Sequence, residues 1–341
     1  MSFKPLLLVS SIALAACAAG PAPIEAKSVE VNTPDKAAAP AVKPEPAKPA
    51  EPLSKAPDVV PFEEMGRIDP GPELADVSKA FAEKLYFDGQ DKLAEHAKKA
   101  RAGGSDYQLQ VLAMSAYAHA MMGEGDLALR GYRKVLSRWQ HPKSLARKLR
   151  RAHPEDGDAR VERAMDAFGE ALFFMAERKR AKLADVAFPY NDVGDAPNEV
   201  KRFVTRDVAR WLRQRAMRTR AAVSAYQRID KIQPETPFRW VAASHARQGA
   251  MYAQTLQQLR DFAVPASWEE DGDSAHAGAD GKPLSWTQIR SDHEARMAKL
   301  MDPLHEQAKA SFQACVDVGA KAKLNDAVVM SCKRWLKANE E

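Results

Sequence analysis

Cysteine is scarce in this chain, with three residues among 341, so neither a disulfide-dense miniature scaffold nor a four-cysteine zinc module fits. Nucleotide and hydrolase signatures are also missing: there is no P-loop, no dinucleotide glycine fingerprint and no nucleophile elbow. His293-Glu294-Ala295-Arg296-Met297 begins like a zinc-protease helix, but Met297 stands where the second histidine would complete the metal pair. Asp271, Asp273 and Asp280 lack the spacing and terminal glutamate of a calcium loop. Charge of one sign is weak, since 51 Lys and Arg against 46 Asp and Glu leave +5, too little to call for nucleic acid. No catalytic residue, metal or cofactor is therefore assigned. Apolar-polar alternation is nowhere sustained, which excludes a convincing strand.

What is present starts with a compartment signal. Lys4 precedes an apolar stretch from Leu6 to Ala16 that is too short for a membrane span and ends in small residues, as in a cleaved signal peptide over 1–16. Leu14-Ala15-Ala16-Cys17 resembles the lipobox of bacterial lipoproteins. That resemblance implies acylation of Cys17, and because each buried methylene contributes roughly 0.8 kcal/mol, several chains would anchor a soluble domain. Ala18, in place of the aspartate that retains many lipoproteins in the inner membrane, implies the outer membrane with the domain facing the periplasm. Residues 17–70 hold the lipidated cysteine and an Ala, Pro, Lys and Glu tract, as in Lys43-Pro44-Glu45-Pro46-Ala47-Lys48-Pro49. Few of them can bury a face, so a disordered tether is expected, with an extended reach on the order of 100 Å.

From 71 to 341 the apolar spacing is helical, and the expected fold class is all-α: tetratricopeptide-like stacked helical hairpins forming an α-solenoid. Small residues carry the repeat, because Ala82, Gly89 and Ala94 are matched by Ala116, Gly123 and Ala128, each pair 34 residues apart. Small side chains let two helices approach, and glycine permits the turn between them. Leu112, Tyr132 and Leu136 add large and aromatic positions to the second unit, although His119 replaces one aromatic. The period lapses after Trp139, where Arg150 and Glu162 stand at small positions; degenerate repeats or an irregular helical hairpin should follow. Further helices are expected over 159–184 and 198–231. A last pair is split, with Gly249 and Tyr252 on its first helix and Ala308, Phe312 and Cys315 on its second. An acidic, glycine-rich insert at about 264–288 between them reads as a mobile loop.

Cys315 and Cys332 lie on apolar helical stripes, and in an oxidising compartment a disulfide is the expected arrangement, two buried free thiols being the other reading. Closing that loop would contribute about 3 kcal/mol on a chain-entropy estimate. Arg202, Arg206, Arg210 and Arg213 share one helical face, either a solvated stripe or a docking surface for an acidic partner or an anionic envelope polymer. Trp240 to Tyr252, Leu259 to Pro265, Met301-Asp302-Pro303-Leu304, Phe312 to Cys315 and Cys332-Lys333-Arg334-Trp335-Leu336 together resemble the tetratricopeptide-containing lipoproteins of the myxobacterial gliding-motility machinery. The long insert and the lysine-rich end depart from that pattern. The resemblance implies a non-catalytic envelope scaffold whose partners are other envelope proteins, held at the membrane through Cys17 and binding no nucleic acid. No feature of the sequence specifies an oligomeric state. Two alternatives stand beside it: a pilotin-like assembly factor for outer-membrane proteins, and an enzyme acting on cell-wall glycan through paired carboxylates.

Overall fold

The computed structural model describes residues 60–65, 70–100, 104–138, 141–189, 193–194, 196–262, 264–265, 268, 272–277 and 281–339. All belong to one compact unit, Glu51–Glu341. The signal sequence, Cys17 and the tether up to residue 59 lie outside the described residues.

The described chain is mostly helical. Its α-helices are α1 (Ala75–Ala82), α2 (Tyr86–Ala100), α3 (Ser105–Met121), α4 (Gly125–Arg138), α5 (Pro142–Ala152), α6 (Gly157–Ala181), α7 (Pro197–Phe203), α8 (Ala209–Tyr226), α9 (Phe238–Arg260), α10 (Trp286–Lys321) and α11 (Ala327–Ala338). A π-helical turn, Val204–Val208, joins α7 to α8 and buries both of its valines. The expected helix over 198–231 is thus one rod interrupted by a π turn and ending at Tyr226. None of the described helices is long and apolar enough to cross a membrane.

The 34-residue register fails in its first unit. Gly123 does sit in the turn between α3 and α4, at φ +78°. Gly89, its supposed counterpart, lies inside α2, where an added Cβ would come within 2.3 Å of the Phe81 ring. Ala82 and Ala94 are exposed instead of packed. The turn position of the first hairpin belongs to Lys84, at φ +60°, 39 residues before Gly123. At that offset Val77 aligns with Ala116, Gly89 with Ala128 and Leu93 with Tyr132, all buried. The physical reason is that a tight helix ending needs one left-handed residue, which a lysine can supply at a cost of roughly 1 to 2 kcal/mol. The glycine is then free for the helix crossing. The bonds are the same in both turns: Leu85 N–H donates to Ala80 O and Glu124 N–H to His119 O, each at 2.8 Å. Lys323, at φ +55°, ends α10 in the same way, with Leu324 N–H on Gly319 O at 2.8 Å.

Helix α6 is the centre of the molecule, with α3, α4, α5, α8 and α9 all packed on it. Val161, Met165, Leu172, Phe173 and Ala176 of α6 are buried and join Tyr132, Tyr226 and Trp240 in one core. Helices α9 and α10 share the most extensive contact: Phe312 closes over Gly249, where a Cβ would be 2.8 Å from the ring. Ala308 is buried beside it and Tyr252 is half-buried. Cys315 of α10 and Cys332 of α11 are both fully buried and form a disulfide with their Cα atoms 6.5 Å apart.

The described part of the insert carries more order than a mobile loop. Trp268 is 1 % exposed and packs with Val200 of α7 and Ile289 of α10. Its ring meets Trp286 at 6.5 Å and the edge of His293 at 5.6 Å. Two short antiparallel strands, β1 (Asp273–Ala277) and β2 (Pro283–Ser285), form a ribbon that leads into α10. The Ser285 hydroxyl then caps the helix, accepting from Gln288 N–H at 3.2 Å. Tryptophans supply the apolar area that a Gly- and Asp-rich segment otherwise lacks. Asp271 and Asp280 lie outside the described residues, as does the side chain of Asp273.

Candidate peptide-binding groove

Helix α6 forms the floor of a groove whose walls come from α3 and α9. Phe173 and Phe174 stand on consecutive positions of α6, Tyr117 faces them from α3 and Trp240 from α9. All four rings meet one side chain, Phe62, which belongs to a short segment preceding the helical domain. Phe62 stacks on Phe173 at 6.1 Å and lies 5.7 Å from Tyr117, 6.0 Å from Trp240 and 6.2 Å from Phe174. Ring pairs at these separations add about 0.5 to 1.5 kcal/mol each beyond the area they bury.

The backbone of that segment is held as well. Residues Phe62–Met65 form a single 3-10 turn. Arg247 Nη2 donates to Val60 O at 2.7 Å, and Arg239 Nη2 donates to Met65 O. Two guanidiniums from α9 thus grip carbonyls on either side of the aromatic anchor, and Met65 is buried at the far end. Main-chain grips flanking one deep side-chain pocket are how helical and sheet surfaces read extended peptides.

A buried polar network sets the position of Arg247, which is 3 % exposed. Its Nε donates to Glu177 Oε1 at 3.1 Å, while Arg180 Nη2 lies 2.8 Å from Glu177 Oε2. The Tyr226 hydroxyl donates to the same carboxylate. Burial acts to raise the pKa of Glu177, but the charge of Arg247 and the hydrogen bond and charge of Arg180 outweigh it, so the group stays below the usual carboxylate value. Tyr226 is driven well above its ordinary value by burial and by Glu177, and remains a donor. A buried ion pair joined by further hydrogen bonds from Arg180 and Tyr226 is expensive to assemble and rigid once made. It aims the free edge of Arg247 at the groove.

Met65 and Arg239 also line a cavity of about 810 Å³ whose other lining residues include Glu162, Asp166, Glu235 and Asp326. Two of these carboxylates have structural duties. Asp326 Oδ1 accepts from Val329 N–H at 3.0 Å, capping α11, and Glu235 pairs with Arg150. Burial raises the Glu235 pKa, against the pull of Arg150.

The residues singled out by sequence divide cleanly. Ala116, Ala128, Tyr132, Gly249, Ala308 and Phe312 are buried packing residues; Tyr132 lies under the groove with its ring 4.6 Å from Phe174, and its hydroxyl donates to Glu170 Oε1 at 2.5 Å. Arg202, Arg206, Arg210 and Arg213 are all exposed on the α7–α8 rod. Arg206 pairs with Asp207 at 2.8 Å, so this stripe is partly neutralised within itself. The hydrogen bond from Arg206, opposed by burial and aided by the charges of Arg210 and Arg202, lowers the Asp207 pKa. Sequence reading missed Phe62, Glu177, Arg239 and Arg247. The one available signal was an isolated phenylalanine, with Val60 and Met65 beside it, at the end of a tract without aromatics. Among the described residues no group of His, Cys, Asp and Glu is arranged to hold a metal ion.

Comparison of the chain with protein-family models, curated proteins and solved structures finds no match.

Proposed function

We propose that this protein is a non-catalytic protein-interaction scaffold, anchored in the cell envelope by acylated Cys17, that assembles a multiprotein complex of the motility type. The observation carrying the reading is the groove over α6, which already holds a short segment with a single 3-10 turn by one caged aromatic and two carbonyl grips. Successive helical hairpins of the tetratricopeptide kind offer such concave surfaces to partner segments. The exposed arginines of the α7–α8 rod give the same molecule an electrostatic face that would speed encounter with an acidic partner.

The test is a photo-crosslinking residue in place of Tyr117 in the full, membrane-anchored protein. An envelope protein crosslinked there, and competed away by a peptide of residues 57–69, supports the reading. Crosslinks that the peptide leaves unchanged argue that the groove is not the docking site. Loss of membrane association in C17S tests the anchor separately.

The cavity lined by Glu162, Asp166, Glu235 and Asp326 favours a second reading, an enzyme acting on cell-wall glycan. Release of soluble sugar from purified cell wall by the wild-type protein, and its loss in D166N, would establish that reading over the scaffold.

A further inference from the structure

A second cavity, of about 570 Å³, lies between the end of α6 with its following turn, α8 and α9. Its walls carry Arg180 and Arg215, three glutamines from α9 (Gln254, Gln257 and Gln258), and an apolar side formed by Leu183, Val186, Phe188 and Met251. Among the described lining residues there is no carboxylate. The volume falls in the range of small-ligand sites.

Arg215 is the unusual group. It is 5 % exposed, yet it has no ion pair among the described residues. Its Nε donates to the Thr255 hydroxyl at 2.7 Å, and that hydroxyl donates onward to Met251 O at 2.8 Å. Nη1 reaches Leu183 O only at 3.5 Å, the outer limit of a hydrogen bond, and the Trp211 ring lies 5.6 Å beneath the guanidinium. Arginine carries five N–H donors in a planar fork, so most of this fork is unmet by anything anionic. The nearby carboxylate, Glu177, is already shared between Arg180 and Arg247. A buried charge is ordinarily paired, and a fork of this shape matches the two oxygens of a carboxylate or phosphate.

We propose that this cavity binds a small amphipathic oxyanion, a carboxylate or phosphate monoester with a short apolar body. The anionic head sits on Arg215 within reach of Arg180, and the body lies against Leu183, Val186, Phe188 and Met251. The site is separate from the groove over α6, and its reading does not depend on the scaffold reading.

Titration calorimetry of the full chain with octanoate, octyl phosphate and inorganic phosphate tests it. Octanoate or octyl phosphate should bind saturably at one site, with inorganic phosphate at least tenfold weaker because it forgoes the apolar wall. Arg215→Met should weaken the octyl ligands more than tenfold. Gln258→Glu, which adds a carboxylate to the cavity lining, should do the same by repelling the anionic head while keeping the fold. Near-saturating ligand should also raise the Tm of the wild-type chain by about 5 °C, and that of R215M not at all. Absence of saturable binding by either octyl ligand, or equal affinity in wild type and both variants, overturns the site. Inorganic phosphate binding as tightly as octyl phosphate overturns the apolar part of the assignment.

Discussion

Two arginines buried to nearly the same depth, Arg247 at 3 % and Arg215 at 5 % exposure, sit in opposite kinds of company. Arg247 is locked to Glu177, stacks 5.8 Å over the Phe173 ring and donates from Nη2 to a backbone carbonyl of the seated segment. Arg215 rests on a hydroxyl and faces a cavity. Burial pulls both pKa values down, but at Arg247 the charge of Glu177 works against it, and no such partner helps Arg215. The difference separates a cation used to build the fold from a cation left available to something else.

The comparison can be broken most severely at Arg247. Arg247→Ala leaves Glu177 short of one partner and Val60 O unheld, and should cost about 3 kcal/mol in urea unfolding, since removing one member of a buried pair strands the other. A loss below about 1 kcal/mol would mean that Arg180 and Tyr226 suffice. Next in size is Phe62→Ala, expected to lower stability by about 2 kcal/mol because the ring is caged but only half-buried. The same variant should expose residues 60–65 to proteolysis while the helical domain stays intact; unchanged cleavage would show that the ring does not hold the segment.

Acid should separate the two arginines through Glu177. Its folded pKa lies below the ordinary 4.5, so its stabilisation is complete above pH 4.5 and drains away as pH falls through the lower folded value. Asp230 and Glu235, raised mainly by burial, act in the opposite direction. Glu177→Gln should therefore flatten the acid limb of a stability-pH curve relative to wild type, a difference that R215M should not produce. The smallest effect belongs to Arg215→Met in the absence of ligand, expected within about 1 kcal/mol of wild type or more stable, because an apolar replacement of an unpaired buried charge removes a desolvation cost. A loss of several kcal/mol there would show that the Thr255 bond and the Trp211 stack make Arg215 structural after all.

Much of the architecture was legible in the residues. Helical spacing announced an all-helical domain, and the small residues at Ala116, Gly123 and Ala128 marked one real hairpin. Cys315 and Cys332 each lie on an apolar helical stripe, which made their disulfide one of two readings open to the sequence. The failure at Gly89 is instructive: a glycine signals either a turn or a close crossing, and only the position of Phe81 decides which. Lys84 and Lys323 carry no sequence sign of left-handed geometry, yet both close hairpins. The insert was read as mobile because its composition is polar, while one tryptophan at 268 outweighs that composition by finding Val200 and Ile289.

By itself the sequence determined helix content and the α3–α4 hairpin with its Gly123 turn and its small residues Ala116 and Ala128, since these depend on side chains a few positions apart along the chain. Only the tertiary structure decided the groove and the anion cavity. Phe62 meets Trp240, Glu177 meets Arg247 and Arg215 meets Thr255 across separations in sequence that no local pattern spans. Whether a buried arginine has a counter-charge is a property of the packed interior alone.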